Sequence, residues 1–287
     1  MNAAADREPG FGRLSVEARA TLHVVGFFAV VFVGLPSLLA ALFGGTSWLA
    51  ADRSWRSTFG LQLAAVLGLS GVQEFARRGR GTQFPYDPPR RLVVTGPYAY
   101  VANPMQICKV LSLLFGAVFL GNGWLGAVGL VYLAVTALFT GPREDAELER
   151  RFGGEFRLYR SEVKRWLPRW TPRVDRPARL YVAEDCGRCR TLGDWIRALR
   201  PVLLEVVPAD SHPLALTRLT YASAGIEESG VAALARALEH VHLGWAFLGF
   251  LVRLPGVHTI AQLVADAMGG DRIRACPAST SARRTSS

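Results

Sequence analysis

The chain has 287 residues, of which 50% are hydrophobic, and it carries a formal net charge of +10. Its mean hydropathy of +0.21 is high for a soluble protein, and its isoelectric point is about 10.1. The arginines lie beside apolar runs, and no zinc-finger or aromatic–basic RNA pattern is present. We therefore interpret the charge as a rim facing anionic lipid headgroups and expect no nucleic-acid partner. The length allows two domains.

Four apolar segments approach the ~20 residues that a helix needs to cross a bilayer. They are residues 21–43, 57–75, 105–120 and 123–140. The second is uncharged until Glu74, and the third holds Lys109 near its start, where a long side chain reaches the interface. For the two shorter segments, buried core helices are the alternative. The sequence predicts a cytoplasmic segment 1–19 and then a multi-pass α-helical membrane domain of about four spans, residues 20–168.

Basic residues concentrate between the second and third segments and after the fourth, whereas Gly121-Asn122-Gly123 between the last two has no charge. With four spans, the positive-inside rule puts both termini in the cytoplasm. We expect no cleaved signal peptide, because the first apolar segment is too long for one. The predicted location is the cell membrane, with membrane lipids as partners.

Turn-forming residues precede the hairpin formed by the last two apolar segments. Gly96-Pro97 and Asn103-Pro104 both predict turns, because proline fixes its own φ and pushes the preceding residue to extended geometry. Pro104 suits the first turn of a helix. The free backbone N–H groups at such a helix start suit a carboxylate ligand.

An acidic pair, Glu144-Asp145, follows the hairpin. If this segment is helical, Glu144 shares a face with Leu148 and Phe152, which follow at four-residue spacing. A carboxylate on an apolar face is expected to be paired or ligand-bound, because burying it alone is costly. The alternative is that the two acids only favour a helix N-terminus.

These segments resemble the isoprenylcysteine carboxyl methyltransferase and phospholipid methyltransferase superfamily. The resemblance rests on Gly-Thr-Gln-Phe-Pro-Tyr-Asp-Pro-Pro at 81–89, on 92–98, on Asn103-Pro104-Met105 and on 144–168. It implies a membrane enzyme that uses S-adenosylmethionine to methylate a lipid-like or isoprenoid-type small substrate. It implies cofactor contacts from Gly96, Tyr98, Tyr100, Asn103, Pro104, Glu144 and Asp145. No catalytic residue is assigned, because methyl transfer mainly requires alignment and exclusion of water.

The chain departs from the family pattern at four positions. Ala102 stands where the family has an arginine, Asp145 replaces the second glutamate, and Gln106 and Phe156 replace aromatic and tyrosine residues. The loss of the arginine matters most, because its planar fork of donors has no equivalent among other side chains. Arg91 and Lys109 are the candidates for a substitute charge.

After the hairpin block, residues 169–177 form a Pro/Arg-rich segment that predicts an extended linker. Residues 178–276 then predict a small α/β domain, with strands at 178–182 and 203–207 and helices at 190–199, 231–240 and 244–254. Residues 277–287, rich in Ser, Thr and Arg, predict a disordered tail.

Cys186 and Cys189 stand between the first strand and the first helix of this domain, in a thioredoxin-like context. Arg188 and the helix N-terminus favour a thiolate, which makes a redox pair plausible. A zinc site is the alternative, but a second ligand pair is missing, so no metal is expected. A purely structural helix start is the other alternative. Residues 181–189, 244–247 and 253–256 resemble the DCC-type thiol-disulfide oxidoreductase family, which implies a thioredoxin-like fold.

The leading hypothesis is therefore an integral-membrane S-adenosylmethionine-dependent methyltransferase with a thioredoxin-like domain. A membrane-tethered thiol-disulfide oxidoreductase on a degenerate methyltransferase-like anchor is the alternative, and a non-catalytic scaffold is the third. The first hypothesis predicts that cofactor binding is lost in Glu144→Ala. The second predicts an activity that depends on Cys186 and Cys189 and survives that change.

Overall fold

The computed structural model describes residues 22, 25–26, 29–43, 55–79, 89–184 and 187–268. The chain forms two compact units, unit 1 from Met1 to Pro168 and unit 2 from Arg169 to Ser287. Over the described residues the fold is mostly helical and includes one mixed four-stranded sheet. Predictions for residues 1–19, 81–88, Cys186 and 277–287 lie outside the described residues.

Unit 1 is helical. Its α-helices are α1 (Leu35–Phe43), α2 (Trp55–Glu74), α3 (Pro104–Leu120), α4 (Gly123–Val135), α5 (Gly141–Phe152) and α6 (Gly154–Glu162). A π-helical segment precedes α1 (Ala29–Gly34), and others follow α2 (Phe75–Gly79) and α4 (Thr136–Thr140), while Gly96–Ala99 forms a 3₁₀ turn. The predicted turn between the third and fourth apolar segments is confirmed. Gly121 ends α3 with a φ of 61°, and the Asn122 side chain accepts a hydrogen bond of 3.2 Å from Leu125 N at the start of α4.

Two helices of unit 1 are long and apolar enough to cross a membrane, Ser57–Gly79 and Gly123–Phe152. They correspond to the second and fourth predicted spans. The third, Pro104–Leu120, is apolar but has only 17 residues, because Pro104 begins it and Gly121 ends it. The first is described as a helix only over Ala29–Phe43. By length and composition, two helices could cross a membrane, or three if a bent pair in unit 2 is counted as one span, and this indicates membrane association.

Small side chains bring α2 and α3 into close contact. Gly60, Ala64 and Gly68 lie at four-residue spacing on α2, and Ala64 is fully buried. A Cβ atom at Gly68 would overlap the Cys108 side chain, and one at Gly60 would overlap the Phe115 ring. Such small residues let two apolar helices pack closely within lipid. This contact fixes the end of α2 beside the start of α3.

Unit 2 contains β1 (Ala178–Val182), α7 (Gly187–Ala198), β2 (Leu204–Pro208), β3 (Thr220–Ser223), β4 (Ile226–Ser229), α8 (Val231–Leu238), α9 (Leu243–Arg253) and α10 (Val257–Ala267). The strand order is β2-β1-β3-β4, with β1 parallel to β2 and both β1 and β4 antiparallel to β3. Leu180, Ile196 and Ala233 are among the fully buried core residues. The helix after β1 begins at Gly187, so Cys189 lies in its first turn rather than before it.

The segment 169–177 contains neither helix nor strand, as its prolines require. It is nevertheless packed against the rest of unit 2, which differs from the extended tether that the sequence predicts. Leu243 N donates a hydrogen bond of 2.8 Å to Trp170 O, and the Trp170 ring stacks on His242 at 4.6 Å. The Arg173 side chain is buried beside Asp175. Aromatic stacking and ion pairing thus hold a segment whose backbone cannot form regular structure.

Candidate functional site

The turn before α3 is buried and depends on one glycine. Gly96 has a φ of +63°, in the left-handed region that favours glycine. A Cβ atom there would also come within 2.6 Å of Glu74 Cγ. Side chains at this position are therefore excluded both by the backbone conformation and by the neighbour. Gly96, Tyr98 and Tyr100 are all buried.

Glu74, at the end of α2, is a buried carboxylate that the sequence prediction did not include. Its side chain is 1% exposed, and its Oε2 accepts a hydrogen bond of 2.8 Å from Thr95 Oγ1. Arg78 Nε lies 4.0 Å from the same oxygen. The sequence carried a signal for this residue, because Glu74 is the acid that ends an otherwise uncharged apolar run. A charge in that position is expensive unless it has a partner or a function.

The side chain of Tyr98 has an unsatisfied donor. Its ring packs on Phe75 at 5.2 Å, and its backbone carbonyl accepts a hydrogen bond of 2.8 Å from Tyr159 Oη. Its own Oη is buried and has no hydrogen-bond partner within the described ranges. Burial, reinforced by Tyr159, Glu74 and Glu144, raises the pKa of Tyr98 well above its ordinary value. The phenol therefore keeps its proton and remains a donor that lacks an acceptor.

Glu144 lies at the opposite end of the hairpin in sequence, yet its charge acts on Tyr98. Gln106 Nε2 donates a hydrogen bond of 3.3 Å to Glu144 Oε1, and Tyr132 Oη donates one of 2.6 Å to Gln106 Oε1. Lys109 and Arg165 are near enough to act on the Glu144 charge. The departure at Gln106 thus has a structural role, because an amide can accept from a phenol and donate to a carboxylate at once.

The predicted helical face of Glu144 is confirmed. Glu144, Leu148 and Phe152 are all partly buried on α5. Leu148 and Phe152 pack against a buried cluster that includes Phe156 and Tyr159. Phe156 stands where the family has a tyrosine, and it is a core residue here. The face therefore connects the carboxylate to the apolar interior.

Asp145 is engaged by two arginines. Arg160 Nε donates a hydrogen bond of 3.1 Å to Asp145 Oδ2, and Arg165 Nη2 donates to the same oxygen. Arg165 also lies so close to Gly141 that a Cβ atom there would come within 2.6 Å of Nη1. Arg165 Nε is buried and has no hydrogen-bond partner in the part of the chain that the structure describes. Asp145 therefore holds a guanidinium that has donor capacity left.

This guanidinium lies in the segment that packs beside Ala102. Ala102 N donates a hydrogen bond of 3.0 Å to Lys164 O, the residue next to Arg165. Ala102 is the position where the methyltransferase pattern that the sequence resembles has an arginine. Arg91, one of the expected substitutes, is exposed, whereas the Arg165 side chain is 15% exposed. The sequence prediction missed Arg165, because 63 positions separate it from Ala102 and only the fold brings the two segments together.

The other predicted residues support the helix start. Pro104 is buried in the first turn of α3, as predicted. Asn103 occupies the N-cap position, but its side chain forms no capping hydrogen bond, and its carbonyl accepts one of 3.1 Å from Ile107 N. Tyr100 is 1% exposed and belongs to the core.

We use the name polar cluster for Glu74, Tyr98, Gln106, Glu144, Asp145 and Arg165.

Unit 2 contains a buried charge network, Glu228, Arg236, Glu239 and Arg253, which we call the closed charge network. Arg236 pairs with Glu228 at 3.2 Å and with Glu239 at 2.9 Å. Arg253 pairs with Glu239 at 2.7 Å and with Glu228 at 3.4 Å. No side chain of the four is more than 13% exposed. The two positive and two negative charges compensate one another, which indicates a structural role.

Of the two cysteines of the predicted redox pair, only Cys189 is among the described residues. Cys189 is buried at 4% exposure in the first turn of α7, and Cys186 lies outside the described residues. A cavity of about 270 Å³ lies between α7 and the ends of the first two strands. It is lined by Val182, Glu184, Arg190, Gly193, Asp194, Arg197 and Val207. Among the residues described, no group of three or more His, Cys, Asp or Glu residues could hold a metal ion.

Comparison with known proteins gives one relative. Over 65 residues the chain is 38% identical to a protein of Haemophilus influenzae that is described as an uncharacterized protein. The match covers 22% of this chain and the whole of that protein. The chain therefore belongs to the same family as that protein over the matched segment. No family model matches the chain, and no solved structure matches it.

Proposed function

We propose that unit 1 is an integral-membrane S-adenosylmethionine-dependent methyltransferase that acts on a lipid-like or isoprenoid-type small substrate. The observation that carries the proposal is the polar cluster. It joins residues from both ends of a hairpin, and it contains two buried donors, Tyr98 Oη and Arg165 Nε, that have no acceptor within the described part of the chain. Buried donors without a partner are rare in folded proteins and favour a ligand that supplies the acceptors.

The residues of the cluster fit the polar end of S-adenosylmethionine. The Arg165 guanidinium suits the cofactor's carboxylate and takes the role of the family arginine that Ala102 replaces. Glu144 suits the amino group or the ribose hydroxyls as an acceptor. Asp145, bonded to Arg160 and Arg165, acts as a positioning residue rather than a direct contact. Glu74 holds the turn at Gly96 through Thr95 and close packing.

The chemistry requires few reactive side chains. Bound S-adenosylmethionine supplies a methyl group on a sulfonium, ready for transfer to a nucleophile. The protein has to align that nucleophile and exclude water, which the buried turn at Gly96–Ala99 favours. Exposed apolar side chains line α4 and the π-helical segment that leads into α5, including Leu130, Val131 and Leu138. These suit contact with lipid, from which an apolar substrate would enter.

For the membrane arrangement, we propose four spans with both termini in the cytoplasm. The clusters of arginine between the second and third segments and after the fourth support this orientation. The polar cluster would then lie at the cytoplasmic surface, because both ends of the hairpin end there. A soluble cofactor and a membrane-dissolved substrate can meet only at such a surface.

The test measures cofactor binding and methyl transfer in parallel. Full-length protein in lipid nanodiscs is titrated with S-adenosylmethionine by calorimetry, with Glu144→Ala and the matched control Glu147→Ala on the same helix. Glu147 is 53% exposed and pairs with Arg150 on the surface. We expect binding by the wild type and the control and loss in Glu144→Ala. Transfer of a radiolabelled methyl group to an added lipid extract should follow the same order. No binding by folded wild type would reject the proposal.

A second candidate function is supported by unit 2. The strand order β2-β1-β3-β4, with β1 parallel to β2 and antiparallel to β3, and the position of Cys189 after β1 support this candidate. We propose that Cys186 and Cys189 exchange two electrons and two protons with a partner disulfide. Mass spectrometry of the full chain equilibrated with dithiothreitol and glutathione tests this. A thiol–disulfide equilibrium that shifts with the glutathione ratio supports a redox pair, and thiols at every ratio contradict it.

A further inference from the structure

Helix α10 in unit 2 has its apolar and polar faces reversed relative to a helix of a soluble protein. Its exposed positions recur with helical spacing and are almost all apolar. They are Val257, Thr259, Ile260, Leu263, Val264, Ala267 and Met268. Ile260, Leu263 and Met268 are 63–66% exposed, and no residue of the helix is fully buried. A helix that packs on its own domain normally buries this face.

The orientation of α10 is fixed by polar contacts on its other face. Gln262 Oε1 accepts a hydrogen bond of 2.9 Å from Val231 N, one of the free N–H groups at the start of α8. Asp266 accepts two hydrogen bonds from the Arg218 guanidinium, at 2.6 Å and 3.1 Å. Gln262 Nε2 also donates to Asp266 Oδ1 at 3.1 Å. The helix cannot rotate its apolar side inward without breaking a bidentate ion pair and a helix cap.

We propose that this outward face, residues Val257, Ile260, Leu263, Val264 and Met268, lies in the interfacial region of a lipid bilayer. The inference concerns unit 2 and does not depend on the methyltransferase proposal. A short helix with one apolar face is the element that binds in the plane of a membrane surface. Here the protein itself occupies the polar side of the helix, so the apolar side is the one that is presented.

Two features of the chain favour a bilayer as the occupant. Unit 2 follows directly after Pro168 in the chain, and unit 1 contains two helices that could cross a membrane. A covalent connection of this kind gives unit 2 a high effective concentration at the bilayer. The face carries no charged side chain, and Arg188 Nη1 donates a hydrogen bond of 2.7 Å to Met268 O at its end. A guanidinium beside an apolar face suits an anionic headgroup.

A second copy of the chain is less suited than a bilayer to cover this apolar face. The helix has 11 residues, so it is about 16 Å long and about 10 Å wide. A stable protein interface buries about 800 Å² on each partner, which is several times the area that one face of this helix offers. The chain after Met268 is also a poor cover, because residues 269–287 contain one large aliphatic side chain, Ile273.

The test measures where the face lies in the full-length protein. A nitroxide is attached through p-acetylphenylalanine at position 260 or 263, so that the native cysteines are untouched, with a control at the exposed position 227 on β4. The protein is placed in nanodiscs of equal parts phosphatidylcholine and phosphatidylglycerol. Electron paramagnetic resonance then measures collisions with oxygen, which enters lipid, and with a neutral nickel chelate, which stays in water.

We expect an oxygen-to-nickel ratio at 260 and 263 that is several-fold higher than at 227. Equal ratios at all three positions would show that the face is in water and would overturn the proposal. Labels at 260 and 263 that are immobile and accessible to neither reagent would show a protein partner instead, which also overturns it. Because both side chains are exposed, the labels displace no core residue, and hydrogen exchange of β1 confirms that unit 2 is folded.

Discussion

The two units handle buried charge in different ways. In unit 2 the closed charge network sets two arginines against two glutamates, and each charged group faces an opposite charge within 3.5 Å. In unit 1 the polar cluster contains one buried acid, Glu74, together with partly buried acids and a partly buried arginine. Tyr98 Oη and Arg165 Nε have no hydrogen-bond partner among the residues described. Both arrangements cost desolvation energy. Arg253 Nε in the closed charge network also lies outside hydrogen-bond geometry, but Glu228 Oε2 is 3.4 Å away, so its charge is balanced. The clearest difference is Tyr98 Oη, a buried neutral donor with no acceptor among the described residues, which favours a ligand.

The largest effect is expected from Arg236→Ala in the closed charge network. Removing this side chain, which is 3% exposed, leaves Glu228 and Glu239 with one positive partner between them. Breaking a buried ion pair costs about 3–5 kcal/mol, so hydrogen exchange of β1 and β3 should become much faster in the full-length protein. Arg197 provides the control, because it pairs with Asp194 on the surface and is 48% exposed. Arg197→Ala should therefore cost about 0–1 kcal/mol. Equal effects of the two changes would contradict a structural role for the network.

Arg165→Lys tests whether the polar cluster of unit 1 binds the cofactor. Lysine keeps the charge but lacks the planar fork that binds both Asp145 and a carboxylate. A hydrogen bond to a charged group contributes about 1.5–3 kcal/mol, so the dissociation constant for S-adenosylmethionine should rise roughly 10- to 150-fold. Arg150→Lys, at a position 75% exposed, should leave binding unchanged. Unchanged binding in Arg165→Lys would remove this residue from the cofactor site.

Tyr98→Phe should separate binding from stability. The hydroxyl group is buried without an acceptor, which costs about 1–3 kcal/mol, so its removal should leave the free protein as stable as the wild type or more so. The same change should weaken S-adenosylmethionine binding roughly 2- to 13-fold. Thermal unfolding with and without the cofactor measures both effects. A loss of stability without cofactor would mean that the hydroxyl group already has a structural partner.

The smallest effect concerns pH and unit 2. His240 Nδ1 donates to Val202 O at 2.8 Å, and its Nε2 accepts from Tyr221 Oη at 2.8 Å, so the neutral ring satisfies both neighbours. Burial lowers the pKa of His240 below its ordinary value of 6.5 and raises the pKa of Tyr221 to about 12.

As the pH falls, His240 is protonated in the unfolded chain before it is protonated in the folded chain, because its folded-state pKa is lower. The free energy of unfolding should therefore have its full value above pH 6.5 and should decrease as the pH falls toward the folded-state pKa of His240. Hydrogen exchange of the β3 peptide at several pH values measures this. His240→Gln keeps a donor and an acceptor but cannot be protonated, and it should flatten the profile. If the stability of His240→Gln fell with pH as much as that of the wild type, the pH dependence would belong to other groups.

The sequence was sufficient for the helices of the hairpin. Long apolar runs predict helices, and a Gly-Asn-Gly sequence predicts the turn between them, because both are local properties. The face of Glu144 followed in the same way from four-residue spacing. The boundaries of α3 were predictable as well, since the predicted segment 105–120 and the helix Pro104–Leu120 differ by one residue.

The contacts that define the candidate site depend on tertiary structure. No local pattern indicates that Ala102 bonds to Lys164, the residue before Arg165, or that the Glu74 side chain lies against Gly96. Likewise, the four members of the closed charge network are spread over three segments, and their pairing is visible only after β4, α8 and α9 have packed. The pairing partner of a charged residue is decided by the fold, whereas its helix or strand is often decided by its neighbours in sequence.

We propose that the polar cluster of unit 1, and not unit 2, holds the cofactor. Ultraviolet cross-linking of S-adenosylmethionine to the full-length protein, followed by peptide mapping, tests this most directly. S-adenosylhomocysteine in excess serves as the competitor. We predict competable label in the peptides that cover residues 92–106 or 141–166. Competable label confined to residues 178–268, or none at all, would contradict the claim.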